Sequence, residues 1–266
     1  MTTPIALTIA GSDSSGGAGI QADMKTFSAL GVYGASVITA LTAQNTRDVT
    51  AIHELPPAFV AAQMDAVFSD LAIAAVKIGM LSNATIVAAV AAGLERHKQA
   101  NVVLDPVMVA TSGRPLLAPD AIETLRAELL PRAVVVTPNL PEAAALLNTA
   151  EATDEGEMLR QADRLIGLGA NAVLMKGGHA RGAESIDLLV TATASIRVIG
   201  ERIATRNTHG TGCTLSAAIA AGLAKGRGLT EAVRDAKEYV TSAIAAADRL
   251  AIGSGAGPLH HFYRWW

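Results

Sequence analysis

Thr208, His209, Gly210, Thr211, Gly212 and Cys213 stand between an apolar run and an alanine-rich stretch. Two glycines let a backbone approach an anion closely, and the N–H groups and dipole of a helix that starts there favour negative charge. A phosphoryl group in transfer suits such a turn, because donors already in place meet its developing charge without rearranging. A plain helix-capping turn has the same local pattern, since glycine-rich strand-to-helix turns are common. Cys213 opens the helix, where the dipole and any nearby cation lower a thiol's pKa toward the working pH, which makes it a candidate base for a hydroxyl proton. A lone cysteine is also often a small buried hydrophobe.

Asp105 closes the run VVLD, and Asn139 with Glu142 follow AVVVT in TPNLPE, so oxygen ligands gather at two strand ends. Mg²⁺ takes few protein carboxylates and several waters, and direct and water-mediated contacts both remain open. The same residues also suit a turn and a helix cap, with Glu142 where a first-turn acid is expected. Lys176 ends NAVLMK and carries a compact charge on a long stem, suited to an ATP phosphate or to plain solvent. His179, His209, His260 and His261 share no zinc-like spacing with acids or cysteines and read as loop or tail residues. Gly17, Ala18, Gly19 and Ala22 spell G-x-G-x-x-A after the first strand, which raises a dinucleotide-binding reading. Against it, the second strand ends in Gln44, Asn45 and Thr46 rather than an acid, and Asp13 and Asp23 lie too early. A Walker A loop is absent.

Elements must bring these residues together. Apolar runs at 5–9, 36–42, 74–78, 101–104, 133–136 and 172–175 alternate with alanine-rich helical stretches. Runs that are apolar throughout imply strands buried on both faces, a parallel sheet between helical layers. Residues 186–190 and 194–201 read as a hairpin, giving an antiparallel edge, and closing helices at 214–225 and 230–249 are split by Gly226 and Gly228, with Thr230 as N-cap. Ligands of such sheets bind beyond the carboxyl ends of the strands, where the polar blocks fall. The expectation is one α/β domain over residues 1–266, without repeats or linkers. Mobile cover over the site is expected from 111–114, which includes Gly113, and from 178–184.

Half of the 266 residues are hydrophobic and 17% charged, enough apolar material for an ample core. A net charge of -3 offers no basic face for nucleic acid, and 3% aromatic residues leave few rings for stacking bases. The first run lacks the flanks of a secretory signal, and the uncharged stretch 26–46 is broken by polar residues, so no membrane segment is expected. One cysteine forms no internal disulfide, and the expected home is a reducing cytoplasm.

The blocks AGSDSSGGAGIQADMKTF, TALTAQNT, KIGML, VVLDPVM, TPNLPEA, MKGGH and NTHGTGC occur in the order and spacing of the hydroxymethylpyrimidine/phosphomethylpyrimidine kinases. The chain resembles that family over residues 5–258, and the ending HHFYRWW is similar to the family's tail. The resemblance implies a ribokinase-like three-layer α/β/α sandwich that uses ATP and Mg²⁺. It implies phosphorylation of 4-amino-5-hydroxymethyl-2-methylpyrimidine and then of its monophosphate, toward thiamine. It further implies Cys213 as base, Lys176 as the neutralising charge, and an anion hole from Thr208, His209, Gly210, Thr211 and Gly212. Asp105, Asn139 and Glu142 would organise Mg²⁺ and ATP. Gln44 would bond the pyrimidine edge, with Gly11, Ala18, Asp23, Met80 and Val107 forming the rest of the pocket. The family is commonly homodimeric. Pyridoxal or pyridoxamine kinases carry very similar blocks and are the alternative reading.

Overall fold

Alternate residues along the central strands face two different helical layers, which is why these strands read as unbroken apolar runs. The computed structural model describes residues 3–110, 113–177 and 184–266. Its strands are β1 (Ile5–Asp13), β2 (Tyr33–Gln44), β3 (Val49–Glu54), β4 (Ala75–Ile78), β5 (Val102–Leu104), β6 (Val135–Val136), β7 (Ala172–Lys176), β8 (Glu184–Thr191) and β9 (Ser195–Glu201). The helices are α1 (Gly19–Ala29), α2 (Pro57–Phe68), α3 (Ala84–Arg96), α4 (Pro119–Glu128), α5 (Leu140–Leu147), α6 (Glu155–Gly167), α7 (Thr211–Ala224) and α8 (Leu229–Ala245). The strands form one sheet in the order β3-β2-β1-β4-β5-β6-β7-β8-β9.

Leu7, Ile9, Val76, Ile78, Val102, Leu104, Val173 and Met175 point to a layer built from α2 to α6. Ala6, Ala75, Val103, Val135, Ala172 and Leu174 point to the other layer, made by α1, α7 and α8. This second face is lined with small residues, and α7 packs against it closely enough to be buried from Thr214 to Ala224. Alanine at 217, 218, 220, 221 and 224, with Gly222, allows that close approach, while Leu215, Ile219 and Leu223 fill the space that remains. The result is the expected three-layer sandwich of the ribokinase-like type.

Strands β2, β1, β4, β5, β6 and β7 are parallel, and β8 and β9 close one edge antiparallel, as their pattern predicts. The opposite edge holds a second antiparallel strand, β3, which the run lengths do not reveal. Thr230 is not the cap of α8: that place is held by Gly228, and no side chain caps the helix. Strand order reverses between β1 and β4, a crevice where open α/β sheets bind ligands. Of the expected covers, residues 111–112 and 178–183, with His179, lie outside the described residues. Arg114 donates from Nη1 to Val49 O at 2.6 Å, tying its loop to β3. No helix among the described residues is long and apolar enough to cross a membrane.

Candidate active site

Gly210 takes φ +84° and begins α7, so the chain enters the helix through a turn that disfavours any side chain. Within 208–213 the amides divide into two sets. Thr208 N donates to Arg206 O, His209 N to Gly257 O and Thr211 N to Thr208 O. The N–H groups of Gly210, Gly212 and Cys213, at the start of α7, have no helical acceptor.

The turn faces two strand ends. A methyl group placed on Gly212 would lie 3.4 Å from Lys176 Nζ and 3.7 Å from Asp105 Oδ2. Lys176, at the end of β7, donates to Asp105 Oδ1 at 2.9 Å and lies 3.6 Å from Glu142 Oε2. Asp105 also accepts from Ser216 Oγ at 3.2 Å and Thr137 Oγ1 at 3.2 Å. Asn139 and Glu142 form a reciprocal cap at the start of α5: Glu142 N donates to Asn139 Oδ1 at 2.8 Å, and Asn139 N to Glu142 Oε2 at 2.8 Å. Burial alone would push Lys176 down, but Asp105 and Glu142 hold it above its usual value and charged. Burial would raise Asp105, yet Lys176 and Lys77 keep it low and ionised; Glu142 is pushed up, chiefly by its burial.

Cys213 is half-buried beside this group. Its thiol is not lowered as the helix start suggests. Burial pushes it up to about 11, with Asp23 and Asp105 adding to the rise, while Lys77 and the Gly19 N–H favour the thiolate without prevailing.

The pocket residues come from the switch point. Gly11 is buried against Met80, whose Sδ would sit 2.9 Å from a methyl on Gly11. Val107 lies half-buried just past Asp105. Gln44 ends β2, accepts from Thr42 Oγ1 at 3.0 Å, and its Nε2 lies 3.3 Å from His209 Nε2. Ala18 offers no free amide, since its N–H is given to Asp13 Oδ2 at 2.8 Å. Asp23 needs a correction. It is 0% exposed, with both oxygens accepting from Lys77 Nζ at 3.0 and 2.8 Å and one also from Thr8 Oγ1 at 2.6 Å. With no exposed edge, it lies beneath the pocket rather than lining it.

His209 lies in a loop and His260 and His261 in the tail, as expected, and all three are buried. His209 Nε2 lies 2.8 Å from Asp13 Oδ2. Asp13, which the sequence reading passes over, accepts from the amides of Ser15, Gly17 and Ala18 and from Ser15 Oγ. An acid followed by Ser-Ser-Gly-Gly is the signal that marks such a turn. Burial raises the Asp13 carboxyl, but His209 and these donors outweigh it and hold it at about 2.

The G-x-G-x-x-A spacing also has a packing explanation. A methyl on Gly17 would meet His209 Cδ2 at 2.3 Å, and one on Gly210 would meet Gly17 O at 1.9 Å. The first loop and the α7 turn touch through bare backbone, and that contact needs glycine on both sides. A cavity of about 740 Å³ opens beside the turn, lined by residues that include Thr205, Asn207, Asp248, Ile252 and Gly253.

Residues 13–260 match the family described as phosphomethylpyrimidine kinase. The chain is 64% identical over 264 residues to the hydroxymethylpyrimidine/phosphomethylpyrimidine kinase of Rhizobium meliloti, covering 99% of each. Among solved structures it is similar to a phosphomethylpyrimidine kinase from Clostridium difficile (TM-score 0.80, 45% identity, 90% of this chain and 99% of that one). It is also similar to an ADP complex of Bacillus subtilis pyridoxal kinase (TM-score 0.90, 37% identity, 98% of both chains).

Proposed function

The chain belongs to the phosphomethylpyrimidine kinase family, and we propose that it moves the terminal phosphate of ATP onto 4-amino-5-hydroxymethyl-2-methylpyrimidine and then onto the monophosphate so formed. The observation that carries this reading is the approach of the α7 start to the Lys176 ammonium, which lies 3.4 Å from a methyl placed on Gly212, beside first-turn amides without helical acceptors. Such a group has work only where negative charge develops.

The alcohol oxygen attacks the γ-phosphorus, the bond to the β–γ bridging oxygen breaks, and ADP leaves with that electron pair. The three amides and Lys176 hold the transferring oxygens. Cys213, in the thiolate form that its upward shift makes the minor one, is assigned the hydroxyl proton, which leaves late because the transition state is loose. Lys77 and the Gly19 N–H, which both favour the thiolate, offset part of the cost of burying it. Gln44 orients the ring edge, with an amide able to donate and accept. The cavity that includes Thr205 and Asn207, which precede Thr208 in the chain, is assigned to the nucleoside.

Asp105 and Glu142 supply the two carboxylates that Mg²⁺ commonly takes from protein. Their oxygens already accept from Lys176, Ser216, Thr137 and the Asn139 amide, so the fit is to a metal held through water. No cluster of three or more metal-binding side chains occurs among the described residues. When bound with ATP, Mg²⁺ neutralises charge on the β- and γ-phosphates. A homodimer in the cytoplasm completes the proposal, supported by exposed Leu41 and Phe59 next to edge strand β3.

ADP release from Mg-ATP tests the reading, with hydroxymethylpyrimidine, its monophosphate and pyridoxal supplied separately. Turnover of both pyrimidines with little on pyridoxal supports it, and turnover of pyridoxal alone overturns the substrate assignment. Cys213→Ala should lower kcat by on the order of 10² to 10⁴ with ATP binding retained. Unchanged kcat removes the thiol from the mechanism.

A further inference from the structure

Residues 257–261 follow the last helix, yet each of them is buried. They run beneath the α7 turn. Gly257 O accepts from His209 N at 3.0 Å, and Gly257 N donates to Asn207 Oδ1 at 3.1 Å. Pro258 pairs with His209 as a short parallel bridge, and its Cβ would lie 3.3 Å from a methyl on Gly17. His260 N donates to Ala243 O at 3.1 Å, and Tyr239 OH to His261 O at 2.8 Å, which pins the segment to α8.

The segment ends its buried course at one side chain of α7. His261 Nε2 lies 3.0 Å from Thr214 Oγ1, and Thr214 is 0% exposed. Thr214 closes the first turn of the helix: both its N–H and its Oγ1 donate to Gly210 O, each at 2.9 Å. Gly210 is the left-handed residue that opens α7, so His261 reaches the turn through one intermediary.

We infer that His261 is a positioning residue for phosphoryl transfer, holding Thr214 and through it the Gly210–Cys213 amides in the place where the transferred phosphate must be met. This rests on the reading of that turn as the phosphate-binding element. A displacement of about 1 Å in such a group costs on the order of 10²-fold in rate. His261 makes no hydrogen bond to Gln44, Gly11, Ala18, Met80 or Val107, so loss of its contact should appear in kcat rather than in the KM for pyrimidine.

The test is steady-state kinetics on the full chain, with melting curves to establish that each variant is folded. His261→Phe, which removes both ring nitrogens, should lower kcat roughly 10- to 100-fold with the pyrimidine KM within about 3-fold. His261→Gln, which returns a polar atom near the Nε2 position, should recover most of the loss. Thr214→Val should lose as much, and the double variant no more than either single one, as expected of two residues acting through one contact. Gly212→Ala serves as the control, since its methyl points at Lys176. If Gly212→Ala loses turnover while a folded His261→Phe keeps it, the inference fails and the anion-hole reading survives. If Gly212→Ala keeps full turnover, both fall. Should His261→Phe not fold, Thr214→Val decides in the same way.

Discussion

Lys77 on β4 and Lys176 on β7 rise from one sheet, and each faces carboxylates from another element, but only one is open to a ligand. Lys77 and Asp23 are both 0% exposed, and the ammonium binds both carboxylate oxygens. Thr8 also donates to the Asp23 carboxylate, so the pair is satisfied within the interior and closed to solvent. Lys176 is 14% exposed and divides its charge between Asp105 at 2.9 Å and Glu142 at 3.6 Å. It also stands beside the start of α7, 3.4 Å from a methyl placed on Gly212. The difference is one of saturation: a paired, closed cation supports the fold and tints the field at Cys213, whereas a cation with unspent donors and an open side can meet a phosphate.

Removing each lysine should therefore damage a different property. Lys77→Met leaves Asp23 buried without its partner, and loss of one member of a buried pair costs about 3 to 5 kcal/mol. Urea unfolding should show this as a large fall in midpoint with unchanged slope, while Lys77→Met with Asp23→Leu should regain most of it. Wild-type stability in Lys77→Met would erase the contrast. Lys176→Met should act on rate, lowering kcat by on the order of 10² to 10³, the usual loss for one donor to developing charge. Its urea midpoint should move less than that of Lys77→Met. A variant that loses stability but keeps kcat would place Lys176 with Lys77 as a structural cation.

The sequence carries the open group far better than the closed one. Asp105, Asn139, Glu142 and Lys176 all close or follow apolar runs, and in a parallel sheet the end of a run is also the edge of the site, while the Gly210–Gly212 turn is marked by its own glycines. Lys77 lies inside the run AVKI and Asp23 inside α1, where local periodicity shows only that a charge is buried or exposed, never what it meets. The same blindness hides His261, whose partner Thr214 is 47 residues away. Strand β3 escapes because an edge strand with mostly exposed residues has no continuous apolar signature. The G-x-G-x-x-A turn shows the converse error: Gly17 and Gly19 are required by the close approach of His209 and of Gly11 O, so a spacing known from phosphate loops arises here from packing between loops.

Asp13 sharpens the comparison from a third direction, since it is a buried strand-end carboxylate whose main partners are amides and a histidine rather than a lysine. Its carboxyl is held at about 2, below the usual value for aspartate near 4. The folded protein therefore binds this proton less readily than the unfolded chain. The stability it contributes is whole above pH about 4 and is lost as the pH falls toward 2, amounting to about 2 kcal/mol at most. Asp13→Asn removes the titration while keeping the shape, so the gap in urea midpoint between wild type and variant should be widest at neutral pH and close on acidification. A gap of constant width from neutral pH to the acid limit would mean that the clasp works by shape alone. A carboxylate held by amides, a hydroxyl and an imidazole would then differ from Asp23 only in what lies beside it.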